Sequence, residues 1–188
     1  PLRRLGRILE LIDQEKYFVL RAGRQTGKTT SARWLVSHFN AGDRYRCVWV
    51  DIQTAREQPE PIKAFRTILN KMTQAVKTDL PGLPLPDVEP LLRDPATAVL
   101  SYLQQLAAAC PLPLIVLFDE ADGLIGEAMV QFLTQLRDGY IARSSQPFPH
   151  SLALIGLREV RDYVLSQDER RAVAWLGTSS PFNITAEA

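Results

Sequence analysis

The stretch "VLRAGRQTGKTTSARWL", Val19 to Leu35, decides how the rest of the chain is read. An apolar, strand-like run breaks into glycine, threonine and lysine, then resumes with apolar residues at helical spacing. Ala22 to Thr29 fits the pattern [AG]-x-x-x-x-G-K-[ST], with Ala22 where many examples have glycine. By average residue usage the pattern arises by chance in a chain this long on the order of one time in a hundred. Its placement between an expected strand and an expected helix makes coincidence rarer still. Such a loop cradles phosphate: consecutive backbone N–H groups converge on the oxygens, small residues permit the approach, and the helix adds the positive end of its dipole. Ala22, Gly23, Arg24, Gln25, Thr26, Gly27, Lys28, Thr29 and Thr30 are therefore the expected nucleotide-binding residues. Lys28 would reach the β- and γ-phosphates, and the Thr29 hydroxyl would bind magnesium.

Outward from this loop, Leu5, Ile8, Leu9 and Ile12 repeat at helical spacing, and "KYFVLRA" (16–22) reads as a buried strand. Ala32, Leu35, Val36 and Phe39 line a helix that stops near "NAGD" (40–43), where Gly42 is expected to take a left-handed cap. "RCVWVDI" (46–52) reads as a second strand, and the apolar stripe from Ile62 to Val76 as a long amphipathic helix. "DLPGLPLPDVEP" (79–90) carries four prolines in twelve residues and is expected to be an exposed excursion. Val99, Leu100, Leu103, Leu106 and Ala107 mark a further helix, and Leu124 to Leu136 another. "SLALIGL" (151–157) is a fourth strand and "FNIT" (182–185) a fifth.

"LIVLFDEAD" (114–122) is a continuous apolar strand ending abruptly in acid, as a parallel strand covered on both faces would read. Asp119 is the candidate for the magnesium shell, and Glu120 for the base that deprotonates an attacking water. The competing reading of the pair as a helix N-cap loses weight once the phosphate loop is present. Strands alternating with helices imply a three-layer αβα fold around a parallel sheet of about five strands. The acidic strand is third along the chain; in the class of P-loop ATPases with an additional strand and a catalytic glutamate, which these motifs resemble, the fourth strand inserts between the first and third, implying the order 5-1-4-3-2. Its end would overlook the γ-phosphate. In "LIGLREVRDY" the first long polar side chain there is Arg158, with Arg161 a turn on. Either one senses the phosphate or stabilises transition-state charge as an arginine finger does, the alternative being a surface arginine opening a helix.

Composition narrows the partners. Lysine and arginine total 22 against 21 acidic residues, a formal charge of +1, so no global field favours nucleic acid or an anionic membrane. No basic, aromatic face is evident either. The longest apolar run, near "PLPLIVLF" (111–118), is shorter than the roughly 20 residues that cross a bilayer. Cys47 and Cys110 lack metal-ligand spacing and read as free thiols in a reducing, cytoplasmic setting. "NKMT" (70–73) approaches the guanine-reading signature but has Thr73 in place of its aspartate and sits in a helix, so ATP with Mg2+ is the expected ligand.

Together, "GRQTGKTT", "LIVLFDEAD" and "GLREVRDY" resemble the bacterial AAA-like ATP-binding family, P-loop ATPases near the AAA+ and STAND classes. The resemblance covers about Leu5 to Ile184. It implies a nucleotide-binding core followed by a helical lid, often with a separate effector region and with self-association. Residues 1–188 would then be the core of a longer protein, beginning at Pro1 without a methionine and ending at Ala188 where the lid should start. The asparagine or threonine usual at the end of the fourth strand in AAA+ relatives is not found. The function expected is ATP hydrolysis that drives a conformational change. The alternatives are a non-hydrolysing nucleotide switch and a phosphotransferase, the latter disfavoured by the adjacent Asp119 and Glu120.

Overall fold

A computed structural model describes residues 2–21, 28–156 and 184–187. The elements run α1 (Leu2–Asp13), β1 (Tyr17–Arg21), α2 (Lys28–Ala41), β2 (Arg46–Asp51), α3 (Pro61–Asp79), a one-turn α4 (Val88–Leu91), α5 (Ala98–Ala109), β3 (Leu114–Asp119), α6 (Gly126–Ala142), β4 (Ser151–Gly156) and β5 (Ile184–Glu187). Short 3-10 turns follow β2 (Gln53–Ala55) and β3 (Ala121–Gly123). The five described strands form one sheet in the order β2-β3-β4-β1-β5, every pair parallel. The parallel pairing is that expected from the alternation of strands and helices, and β4 lies between β1 and β3 as the resemblance implies. The fifth strand lies two residues later than "FNIT" suggested.

Strand side chains alternate between the faces, so the sheet divides its apolar residues between two cores. Tyr17, Val19, Val48, Val50, Val116, Phe118, Leu152 and Leu154 meet α3, α5 and α6 on one side. Phe18, Leu20, Cys47, Ile115, Leu117, Ala153 and Ile155 meet α1 and α2 on the other. Every residue of β3 and β4 is buried, as central strands covered on both faces must be. Among the described residues no helix is long and apolar enough to cross a membrane.

The helix ends explain where the chain turns. α3 opens with Pro61 in its first turn, where the missing N–H costs nothing. The N-terminus of α5 is satisfied from another helix: the Gln135 side-chain oxygen accepts from Val99 N at 2.8 Å and Leu100 N at 3.1 Å, while its amide donates to Pro95 O. On α6, Gly139 leaves the space that the Phe148 ring occupies, a Cβ there falling 2.1 Å from the ring.

Two expectations need correction. Gly42 does not take the left-handed conformation; its N–H closes the helix end on Phe39 O at 3.2 Å. The proline-rich segment forms no ladder, but it is not simply an exposed excursion. Leu80 is buried, Leu83, Leu85 and Val88 pack against the core, and Asp87 caps α4 by accepting from Glu89 N. Prolines forbid regular pairing there, yet the leucines between them still have apolar surface to bury.

Candidate nucleotide-binding site

All strands being parallel, their carboxyl ends share one edge of the sheet, the edge where ligands collect in open α/β folds. Strand β1, between β4 and β5, ends at Arg21 and α2 begins at Lys28. Ala22, Gly23, Arg24, Gln25, Thr26 and Gly27, which join them, lie outside the described residues, as do Arg158 and Arg161. Lys28 opens α2, and Thr29 and Thr30 are exposed in its first turn.

Asp119 is the last residue of β3 and is 4% exposed. In the parallel register it stands opposite Asp51 on β2 and Ile155 on β4. Leu117, two residues before it, faces the α1/α2 core, so Asp119 emerges on the side of the sheet that α2 covers. Its Oδ1 accepts from the Glu120 N–H at 3.0 Å and its Oδ2 from the Trp49 indole at 3.3 Å. Glu120 itself is half-buried and adopts φ 57°, ψ 26°, the left-handed region that disfavours a side chain. That reversal ends the strand at once and carries the chain into the following turn.

The end of β4 completes the edge. Gly156 pairs with Arg21, so β4 stops between the ends of β1 and β3, and Arg158 follows two residues later. A Cβ on Gly156 would fall 2.8 Å from Asp122 Cγ, so the glycine lets the Asp122 side chain lie across the strand end. Trp49 and Asp122 escaped the sequence reading. The available signal for Trp49 was its two-residue spacing from Asp51, but that becomes informative only once the β2/β3 register is known.

Magnesium fits this donor chemistry. A carboxylate at the strand end and a hydroxyl in the first turn of α2 are hard oxygen ligands, both on the same side of the sheet. Among the described residues no group of three or more His, Cys, Asp or Glu is placed to hold a metal. Magnesium with a nucleotide needs none, because it takes few protein ligands and fills its shell with phosphate oxygens and water.

A strand-to-helix junction inside a parallel sheet, an acidic strand end two strands away and a strand inserted between the two are the arrangement of a P-loop nucleotide-binding core. The family model described as AAA domain matches residues 12–164, and the chain belongs to that family. No curated protein sequence matches. Among solved structures, the crystal structure of Cdc6p from Pyrobaculum aerophilum is similar in fold, with a TM-score of 0.57 at 15% identity over 99% of this chain. This chain spans 43% of that one.

Proposed function

We propose that this domain binds Mg-ATP at the carboxyl edge of its sheet and hydrolyses it, driving a conformational change in the protein to which it belongs. One observation carries the reading: the β1-to-α2 junction and the Asp119–Glu120 pair stand at the same edge, with the end of β4 between them. The loop 22–27 and the first turn of α2 would hold the phosphates, with Lys28 on the β- and γ-phosphates. Thr29 and Asp119 would hold magnesium, which when bound neutralises charge developing on the transferred phosphoryl group. Glu120, half-buried at the end of the acidic strand, would orient a water and take its proton. Arg158 would approach the terminal phosphate from the end of β4, either in its own subunit or across an interface between copies. The buried Cys47 and half-buried Cys110 thiols, with ATP as ligand, support a cytoplasmic setting.

Lys28→Ala tests the cradle. Titration with a fluorescent ATP analogue should give saturable binding to the parent protein and at least a tenfold weaker affinity for the variant, since the phosphates lose a charged partner. Equal affinities would remove Lys28, and with it the loop, from the site.

A further inference from the structure

Trp49 connects the two sides of the proposed magnesium site. It sits opposite Leu117 in the parallel register, on the sheet face covered by α2, and its indole N–H reaches Asp119 Oδ2 at 3.3 Å. Over the same ring, at 4.6 Å from its centroid, lies the guanidinium carbon of Arg33. Arg33 is four residues beyond Thr29 in α2, so the two share a helix face. A line of contacts therefore runs from the helix that carries Thr29, through the Arg33 cation and the indole, to the carboxylate of Asp119.

We propose that Trp49 is a positioning residue for magnesium, holding the Asp119 carboxylate in its metal-facing orientation, with Arg33 clamping the indole between α2 and β3. The inference rests on the Mg-ATP reading above. The chemistry favours an indole for this task. It donates one hydrogen bond in a fixed direction and carries no charge, so it orients the carboxylate without competing with the cation as a lysine would. Each carboxylate oxygen has a second lone pair, so Oδ2 can accept from the indole and still face a metal. Oδ1 accepts from the Glu120 N–H, and the indole adds a donor of fixed direction on Oδ2. Partners of this kind behind a metal ligand are typically worth about 10- to 100-fold in metal affinity.

The test compares the full chain with its Trp49→Phe variant, which keeps an aromatic surface for Arg33 and deletes only the indole donor. A fluorescent ATP analogue is titrated in EDTA and at a series of Mg2+ concentrations. Trp49→Phe should bind the metal-free nucleotide as the parent does and need about tenfold more Mg2+ to reach the tight complex. An unchanged Mg2+ dependence overturns the inference, and so does an equal loss with and without Mg2+, which marks a purely structural role. Failure of the parent itself to gain affinity with Mg2+ overturns the Mg-ATP reading instead, before any variant is compared. A second measurement leaves Trp49 in place: in a Trp34→Phe, Trp175→Phe protein saturated with ATP, adding Mg2+ should change the Trp49 emission. Emission that ignores the metal contradicts the positioning role.

Discussion

Glu120 carries two demands that pull apart. As a side chain it is the base that the proposed hydrolysis needs, and as a backbone unit it sits at φ 57°, a conformation that costs a residue with a Cβ on the order of 1 kcal/mol or more. Glu15 and Glu57 are the other described non-glycine residues at positive φ, and both lie in turns. At Glu15 the reversal closes α1, with Glu15 N donating to Ile12 O and Lys16 N to Leu11 O. A glycine would satisfy the backbone at position 120 with less strain. Glu120→Gly should therefore leave stability unchanged or raise it by up to about 1 kcal/mol in urea unfolding. A loss of several kcal/mol would mean that contacts of the side chain outweigh the strain and that the residue is structural.

The edge strand β2 reveals a device the sequence pattern hides. An exposed strand edge invites pairing with another chain, and here polar side chains occupy it. Asn40 accepts from Cys47 N at 2.7 Å and donates to Cys47 O at 2.9 Å, the pairing a neighbouring strand would make. Further along, Asp79 Oδ2 accepts from Trp49 N at 3.0 Å. Burial raises the Asp79 carboxyl above its ordinary value, against the lowering effects of the Trp49 N–H and the nearby Arg33. A carboxyl raised in the folded state binds its proton more tightly there than in the unfolded chain. Folded protein then holds more protons between the ordinary value near pH 4 and the raised one, so this group's contribution to stability falls as pH rises through that window and stays lower above it. Asp79→Asn keeps an acceptor for Trp49 and abolishes the titration. Its unfolding free energy relative to the parent, followed in urea from pH 4 to pH 7, should shift in the variant's favour as pH rises. A constant difference would show that burial does not perturb Asp79.

Element order was legible in the sequence from local signals, apolar runs of strand length and helical stripes, whereas the strand order, with β4 between β1 and β3, was legible only through the class the motifs resemble. The acidic strand end was equally legible, since it is contiguous in the chain. What escaped depends on register and close packing. Nothing local says that Trp49 stands two pairs below Asp119, that Asp122 crosses Gly156, or that Gln135 on α6 caps α5 across the core. Gly42 and the proline-rich segment were misjudged for a related reason, because tertiary burial and an alternative helix closure override the conformational preference of single residues.

The assembled edge makes one demand above the others: a carboxylate at position 120, and not merely its shape, must be required for turnover. ATP hydrolysis should be measured by phosphate release for the full protein and for Glu120→Gln, beside nucleotide affinity for both. The near-isosteric amide should bind Mg-ATP as the parent does and release phosphate about two to four orders of magnitude more slowly. Parental phosphate release from Glu120→Gln would contradict the assignment of Glu120 as the base, and with it the hydrolytic reading of the site.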